Sequence, residues 1–342
     1  FKIDPAGNQL PYIDRVDAEV IAEGEVVVAK ASTGQLDFAG YSMPTQDIPL
    51  LKLGERTGAI SVHVWRRLHG SDLVLQPNYN HKDERLRALF YERSFREALS
   101  IAIDRDEMNQ IIYFGRGVPR QVTVIPSSSY YEPEFASAFT QHDPDGAKAR
   151  LDALGLRDRD GDGLREYADG TPLVITVEFI DFETPKQISM ELIASYWRAV
   201  GIDLRLKLVD RGLQWERART GDMQMTVWHA DRTTDILFPL QPDWWVPRTI
   251  AWSMSMWNDW TRWYLTDGRL GEEPPREIRE LQAWGDGLRT SVDPDERVAY
   301  GKQILRSNAE NLWSIGTVGL APHPVVVSAR LKNVPSNGIW GW

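Results

Sequence analysis

The feature that most constrains the fold is an alternation of strand and helix signals in the middle of the chain. Residues 173–180 form a nearly continuous apolar run of strand length, and a helical stripe follows it and ends at Gly201. Residues 202–208 then alternate between apolar and polar side chains, residues 213–220 predict a short helix, and residues 223–228 predict a third strand. These crossovers are too long for hairpins, so the pattern predicts parallel strands with right-handed connections.

The first helix of this region has a predicted start. Thr184-Pro185-Lys186-Gln187 reads as a capping box with proline at the first helical position. Elsewhere, alternation predicts strands over residues 12–20, 59–65 and 72–76. The fold class that follows is α/β.

Composition excludes several classes of protein. The formal net charge of −10 argues against a nucleic-acid binder, which needs a basic face. The absence of cysteine excludes disulfides, thiol catalysis and iron–sulfur clusters. The sequence contains no G-x-S-x-G, H-E-x-x-H, Walker or dinucleotide-binding motif, which argues against an enzyme. A hydrolase that uses two carboxylates stays open, because the chain has 49 acidic residues.

An acidic loop is the sharpest local motif. Asp158, Asp160, Asp162 and Gly163 occupy positions 1, 3, 5 and 6 of a calcium-loop pattern, and Asp169 falls at position 12. Oxygen ligands at alternate positions of a tight loop suit Ca²⁺ in a structural role, with the Leu164 carbonyl and Glu166, directly or through water, as further ligands. The alternative is an Asp- and Gly-rich turn that water solvates.

Asp231 is the strongest binding candidate because it follows the third predicted strand. Ligands of open α/β sheets bind outside the carboxyl ends of the strands, and a carboxylate in a cleft anchors a cation. Trp228 could supply a stacking face and His229 a switchable donor. The alternative for Asp231 is a helix cap or a surface ion pair.

Residues 239–275 predict a long irregular segment that is rich in tryptophan. Flat aromatic faces suit sugar rings or peptide side chains, but a long loop also needs a core of its own. We expect most of these rings to be core and one or two, Trp244 and Trp245, to line a cleft. The tryptophans between positions 244 and 263 are Trp244, Trp245, Trp252, Trp257, Trp260 and Trp263.

Several segments together resemble the family 5 extracellular solute-binding proteins of ABC importers. Residues 95–105 are similar to the family's R-x-A-L-x-x-A-I-D-R stretch, residues 158–173 to its acidic turn, and residues 228–231 to its W-x-x-D segment. Residues 1–14 resemble a mid-chain motif of that family. The resemblance therefore implies that roughly the first half of a mature receptor, with any targeting segment, is not in this sequence.

The resemblance implies a type II periplasmic-binding-protein-like lobe, with a mixed sheet and flanking helices, and a partial second lobe. Residues 1–70 would belong to the first lobe, residues 71–312 would form the second, ligand-binding lobe, and residues 313–342 would return to the first. The crossings are expected near Arg67–Asp72 and near Trp313. In peptide-binding members the aspartate of W-x-x-D holds the ligand's α-ammonium group, a role that would fall to Asp231.

The implied function is that of a monomeric receptor that is not an enzyme. It would capture a peptide or an oligosaccharide between two lobes, without a required cofactor, and deliver it to a membrane permease. The location would be periplasmic or extracellular, with a lipid anchor possible in the full-length protein. Val227 and Arg232 depart from the peptide-binding pattern, so the ligand need not be a peptide.

Two other classes of function stay open. A glycoside-active enzyme would need two carboxylates across a tryptophan-lined cleft. An interaction domain would expose an aromatic patch from residues 244–263.

Overall fold

The computed structural model describes residues 2–21, 23–41, 43–250 and 256–341, and Trp252 lies outside these ranges. Its strands are β1 (Lys2–Ile3), β2 (Gln9–Leu10), β3 (Phe38–Ala39), β4 (Ile60–Arg67), β5 (Ser71–Pro77), β6 (Val118–Pro119), β7 (Val174–Phe179), β8 (Asp203–Leu208), β9 (Met225–Ala230), β10 (Ile315–Gly316), β11 (Val318–Gly319), β12 (His323–Ser328) and β13 (Ile339–Trp340).

The helices lie mainly between and around these strands. They are α1 (Gly24–Ser32), α2 (Ile48–Glu55), α3 (Glu84–Tyr91), α4 (Arg93–Ile101), α5 (Arg105–Tyr113), α6 (Pro133–Ser137), α7 (Pro144–Ala153), α8 (Lys186–Ala199), α9 (Arg211–Thr220), α10 (Leu237–Leu240), α11 (Asn258–Leu265), α12 (Arg276–Thr290) and α13 (Pro294–Asn311), with a 3-10 turn at Thr45–Asp47. Among the described residues, no helix combines the length and the apolar character that a membrane crossing requires.

The larger sheet has five strands in the order β10-β5-β9-β7-β8. Strand β7 pairs in parallel with both β8 and β9, which confirms the prediction made from the alternating middle region. Strand β5 joins β9 in the antiparallel direction, so the sheet is mixed. Its inward side chains, including Val74, Ile175 and Val227, belong to the larger hydrophobic core.

Helix α8 does not start as predicted. The side chain of Thr184 does not cap it; instead Asp181 Oδ1 accepts hydrogen bonds from the backbone N–H groups of Lys186 (2.9 Å) and Gln187 (3.1 Å). Thr184 Oγ1 accepts a hydrogen bond from Lys186 Nζ at 2.9 Å. The consequence is that the Lys186 side chain is buried against the start of its own helix.

The smaller sheet, in the order β13-β4-β12-β3, has its own core that includes Val28, Leu51, Ile60 and Val326. Strands β10 and β11 pair with β5 and β6 beside the larger core, whereas β12 pairs with β4. The return crossing therefore lies just before His323 and not near Trp313 as expected, because the chain adds two short strands to the larger unit first. The division into two lobes otherwise stays a prediction.

Two local predictions from the sequence are wrong, one of a strand and one of an irregular segment. Residues 12–20 form no strand in the described structure, and Val16 and Val20 are 81% and 98% exposed. The segment 239–275 is not wholly irregular, since it contains α11. The rings of Trp244, Trp245, Trp257 and Trp260 are buried, so among the described residues this segment offers no broad aromatic patch.

Candidate functional site

The candidate site lies where the loops after β7, β8 and β9 meet the crossing between the two sheets. Phe182 and Glu183 follow β7, Arg211 follows β8, and Asp231 follows β9. The crossing segment is held there by a hydrogen bond from Gly70 N to Ala230 O at 2.8 Å. A Cβ atom on Gly70 would come within 2.0 Å of Thr123 O, so only glycine allows this close approach.

A pocket of about 300 Å³ opens at this position. One wall is aromatic, and Phe182 and Trp228 stack with centroids 6.5 Å apart. The guanidinium of Arg211 lies 5.2 Å from the Phe182 ring and 5.0 Å from the Trp215 ring. The lining residues are Tyr41, Phe182, Glu183, Arg211, Trp215, Trp228, His229, Asp231, Arg232, Leu237, Gln241 and Trp244.

Asp231 lies in this pocket and is engaged by its neighbours. Its Oδ1 atom accepts a hydrogen bond from Trp244 Nε1 at 2.9 Å and lies 3.6 Å from Arg232 Nη1. The Arg232 guanidinium is 5.8 Å from the centre of the Trp244 ring. Arg232 has a left-handed backbone (φ 60°), an unusual conformation for a long side chain. That turn directs its charge back onto Asp231.

A network of buried charged and imidazole groups lies beneath the pocket. Arg67 Nη1 is 3.6 Å from Asp72 Oδ2, and His69 Nδ1 is 3.4 Å from Asp72 Oδ1. Glu183 reaches both imidazoles, with Oε1 3.8 Å from His69 Nε2 and Oε2 3.3 Å from His229 Nε2. The two imidazole rings stack with centroids 4.5 Å apart. Loops of the larger unit and the crossing segment thus share one cluster.

Burial shifts the pKa values of this network. It favours neutral forms, and with the nearby charge of His69 and Lys186 it holds the pKa of His229 well below its usual value. The pKa of Lys186 falls to about 8 because the ammonium is desolvated, although Glu183 partly offsets the effect. Burial opposes ionisation of Asp72 too, but Arg67 and His69 outweigh it and lower the pKa of Asp72.

Most of the predicted ligand-binding residues come together in the structure. Trp228, His229, Asp231 and Trp244 all line the pocket. Trp245 does not: its ring is fully buried, packs edge-on against Phe238 with centroids 5.1 Å apart, and donates from Nε1 to Val122 O at 3.3 Å. The prediction for Trp245 is corrected to a core role, because the adjacent rings of Trp244 and Trp245 leave the chain in different directions.

Sequence reasoning missed several residues of the site. Phe182, Glu183 and Arg211 follow parallel strands, so the rule that selected Asp231 would have found them if it had been applied to every strand of the unit. Trp215 carries no such signal. His69 precedes an antiparallel strand, and only the tertiary structure brings it to the site.

The acidic loop forms a cluster of the predicted side chains with the exception of Asp169. Carboxylate oxygens of Asp158, Asp160, Asp162 and Glu166 lie within 4.8 Å of one another. Asp169 is not among them; it lies 2.8 Å from Arg85 Nη1 and accepts a hydrogen bond from Thr171 N. Asp169 is therefore corrected to an ion-pair role, since it lies in a separate turn that Gly170 N closes on Tyr167 O. Calcium binding stays a prediction.

Comparisons with known proteins place the chain in a family. The model of bacterial extracellular solute-binding proteins, family 5 Middle, matches residues 5–242. The chain is 24% identical to a periplasmic alpha-galactoside-binding protein of Rhizobium meliloti strain 1021, over 98% of this chain and 48% of that protein.

Solved structures agree on the fold. An oligopeptide-binding protein OppA superposes with a TM-score of 0.75 and 29% identity, over 94% of this chain and 53% of its own. MelB of Agrobacterium fabrum C58, solved with stachyose, gives a TM-score of 0.75 and 19% identity, over 92% of this chain and 47% of its own. The fold is that of the periplasmic binding proteins, and the chain spans about half the length of these relatives.

Proposed function

Because this chain belongs to the family 5 bacterial extracellular solute-binding proteins, we propose that it carries the solute pocket of an ABC importer's receptor and that the solute is a neutral oligosaccharide. The receptor would work as a monomer in the periplasm or outside the cell, where a lipid anchor would hold some members to the membrane. Its partner would be the importer's permease, and the solute would leave chemically unchanged.

The state of Asp231 is the observation that carries this proposal. An α-ammonium group of a peptide needs a carboxylate whose charge is available to it. Here Arg232 and Trp244 already contact the Oδ1 atom of Asp231. A peptide amine would compete with a guanidinium that the protein supplies itself, whereas a neutral sugar hydroxyl would not need to displace it.

The rest of the lining also suits a sugar. The faces of Trp228 and Phe182 offer flat apolar surfaces, and Arg211 supplies several N–H donors at the pocket wall. Specific pockets combine apolar walls with a few placed polar groups, and this one follows that rule. The relatives whose names mention an alpha-galactoside and stachyose agree with a sugar ligand.

Capture would proceed by closure of two lobes around the solute. Tyr41 belongs to the smaller unit and meets Phe182 edge-on at 5.8 Å, so both units already contribute to the pocket wall. A solute that bridges the two units stabilises the closed arrangement by the contacts it gains there. The permease would then recognise the closed form.

A glycoside-active enzyme is the alternative that this proposal rejects. The carboxylates that line the pocket are Glu183 and Asp231. Each already lies near basic or imidazole groups, His229 and Arg232 respectively. A glycosidase needs two carboxyl groups that are free to act on the glycosidic bond, one as acid and one as base or nucleophile, whereas these two already engage groups of the protein itself.

The test is a titration of tryptophan fluorescence with stachyose and, separately, with a short neutral oligopeptide. We expect a saturable change with stachyose, a weak response to the peptide, and intact stachyose when the mixture is chromatographed after long incubation. Release of galactose would contradict the receptor proposal. Tighter binding of the peptide than of stachyose would contradict the choice of solute.

A further inference from the structure

A group of metal-ligating side chains lies at the floor of the pocket. One ligand atom each from His69, Glu183 and His229 lies within 4.8 Å of the others. The distances to Glu183 are 3.8 Å from His69 Nε2 and 3.3 Å from His229 Nε2. Their side chains are at most 4% exposed. No role in holding the solute requires all three.

These distances are close to what a bound ion demands. A Zn²⁺ ion lies roughly 2.0–2.2 Å from nitrogen and oxygen ligands, so tetrahedral ligand atoms stand roughly 3.3–3.6 Å apart. The pair His229–Glu183 already meets this spacing, and His69–Glu183 exceeds it slightly. Small rotations of the stacked imidazole rings would turn their Nε2 atoms toward a common point beside Glu183.

The side chains behind the cluster support a metal ligand. His69 Nδ1 faces Asp72 Oδ1 at 3.4 Å, and Asp72 is held in turn by Arg67 at 3.6 Å. A carboxylate behind a histidine fixes its tautomer when it accepts a hydrogen bond from Nδ1, which leaves Nε2 free for a metal, and a small rotation of the His69 ring would turn this 3.4 Å contact into that hydrogen bond. His69 and Asp72 are both buried here, and a buried carboxylate without compensating partners costs free energy.

The hydrogen-bonding inventory points the same way. Neither ring nitrogen of His69, nor His229 Nδ1, nor the carboxylate oxygens of Asp72 have a hydrogen-bond partner among the described residues, although all three side chains are almost completely buried. A buried polar atom without a partner costs about 1–3 kcal/mol. A ligand at His69 Nε2 would remove one of these penalties directly.

We propose that His69, Glu183 and His229 bind a divalent transition-metal ion at the floor of the pocket. Two imidazoles and one carboxylate, in a chain without cysteine, suit Zn²⁺, Ni²⁺ or Fe²⁺ better than Ca²⁺. Three protein ligands leave a coordination position open. Because Glu183 and His229 line the pocket, that position would be open to the pocket.

The Lys186 ammonium is the competing cation. It is buried and lies 5.1 Å from the Trp228 ring, near the charge of Glu183. Two contacts direct it elsewhere, to Phe182 O and to Thr184 Oγ1. The Lys186→Met variant should therefore bind the metal at least as tightly as the wild-type chain.

Equilibrium dialysis of the chain against Zn²⁺ alone tests the site without any solute. We expect one equivalent of tightly bound Zn²⁺ and, with Co²⁺ in its place, the intense visible absorption of a four-coordinate ion. The variants Glu183→Gln and His229→Gln should lose this equivalent. His142→Gln is the matched control, because His142 also faces a carboxylate, Asp104 at 3.1 Å, but on the surface.

Binding of no Zn²⁺ by the wild-type chain overturns the proposal, whatever the variants do. So does equal loss in His142→Gln, or binding that survives in both Glu183→Gln and His229→Gln. Circular dichroism of each variant in chelator establishes that it is folded. Since no oligosaccharide is present, failure here leaves the proposed receptor function standing, and failure of the sugar titration leaves this site standing.

Discussion

The acidic loop and the buried histidine cluster are both groups of cation-ligating side chains, and they differ in their surroundings. In the loop, Asp158 accepts hydrogen bonds from Gly161 N at 2.7 Å and Gly163 N at 3.0 Å, and the three aspartates, unlike Glu166, are exposed to solvent. In the cluster, His69 and Asp72 are buried and depend on one another.

The difference teaches that local and tertiary order create different sites. The loop closes on its own backbone, so water can replace an ion at little cost. The cluster assembles residues from the crossing segment, the loop after β7 and the end of β9. Its charges are buried, so solvent cannot stabilise them when a partner is lost. Interference with the cluster should therefore cost far more than interference with the loop.

The largest effect is expected from Asp72→Asn. This change leaves Arg67 buried without a counter-charge, and breaking a buried pair in this way costs about 3–5 kcal/mol. Urea denaturation measures the loss. Asp158→Asn in the exposed loop is the control and should cost a small fraction of that. Similar losses for both variants would erase the contrast between the two regions.

Lys186 should make the stability of the cluster depend on alkaline pH. Its pKa is about 8 in the folded chain against 10.5 for an unperturbed lysine. Between these values the unfolded chain holds a proton that the folded chain has released, so the free energy of unfolding rises with pH across this window. The gain is about 3 kcal/mol when complete.

The measurement is the difference in unfolding free energy between the wild-type chain and Lys186→Met from pH 7.5 to 10.5. The variant lacks the titrating group and should not show this rise. Lys82→Met, at a lysine whose side chain is 77% exposed, should behave like the wild-type chain. A wild-type curve parallel to that of Lys186→Met would contradict the burial of this ammonium.

The pocket above the cluster should depend on its aromatic wall. Trp228→Ala removes the half-buried ring that stacks on Phe182, and we expect about tenfold weaker binding of stachyose, or about 1.4 kcal/mol. Trp245→Ala would not be a suitable control, because that ring belongs to the core and its loss would destabilise the fold. Trp263 lies outside the pocket lining, so Trp263→Ala is the control. Calorimetric titration gives both affinities.

Arg232→Ala sharpens the same point about specificity. Without the guanidinium, the contact to Asp231 that stays among the described residues is the hydrogen bond from Trp244, so its charge becomes available to an ammonium group. Affinity for a short oligopeptide should rise several-fold while affinity for stachyose changes little. A fall in affinity for both ligands would mean that Arg232 itself holds the solute.

The smallest effect is expected at the acidic loop. If it binds Ca²⁺ with the affinity of extracellular modules, millimolar Ca²⁺ should raise the melting temperature by about 1–3 °C over a chelator. Asp160→Asn should abolish this shift, and Asp169→Asn should not, because Asp169 pairs with Arg85. An unchanged melting temperature in chelator would remove calcium from the account.

Much of the larger unit could be predicted from the sequence because its signals are local. Apolar runs, alternation and terminal glycines such as Gly201 and Gly221 report on strands and helices within a few residues. The carboxyl-end rule for parallel strands then led to Asp231 and Trp228. Local signals failed where the outcome depended on a partner: residues 12–20 alternate like a strand but have no neighbouring strand to pair with in the described structure.

The sequence by itself determined the parallel α/β framework, the acidic loop and the position of Asp231, since each rests on the order of neighbouring residues. Only the tertiary structure decided that Arg232 and Trp244 engage Asp231, that Trp245 is core, and that His69 meets Glu183 and His229. Apart from Arg232, which directly follows Asp231, those contacts join residues that are separated in the chain. Burial there strengthens each electrostatic interaction and raises the cost of each polar group left without a partner. The chemistry of the pocket floor is therefore a property of the fold and not of any one segment.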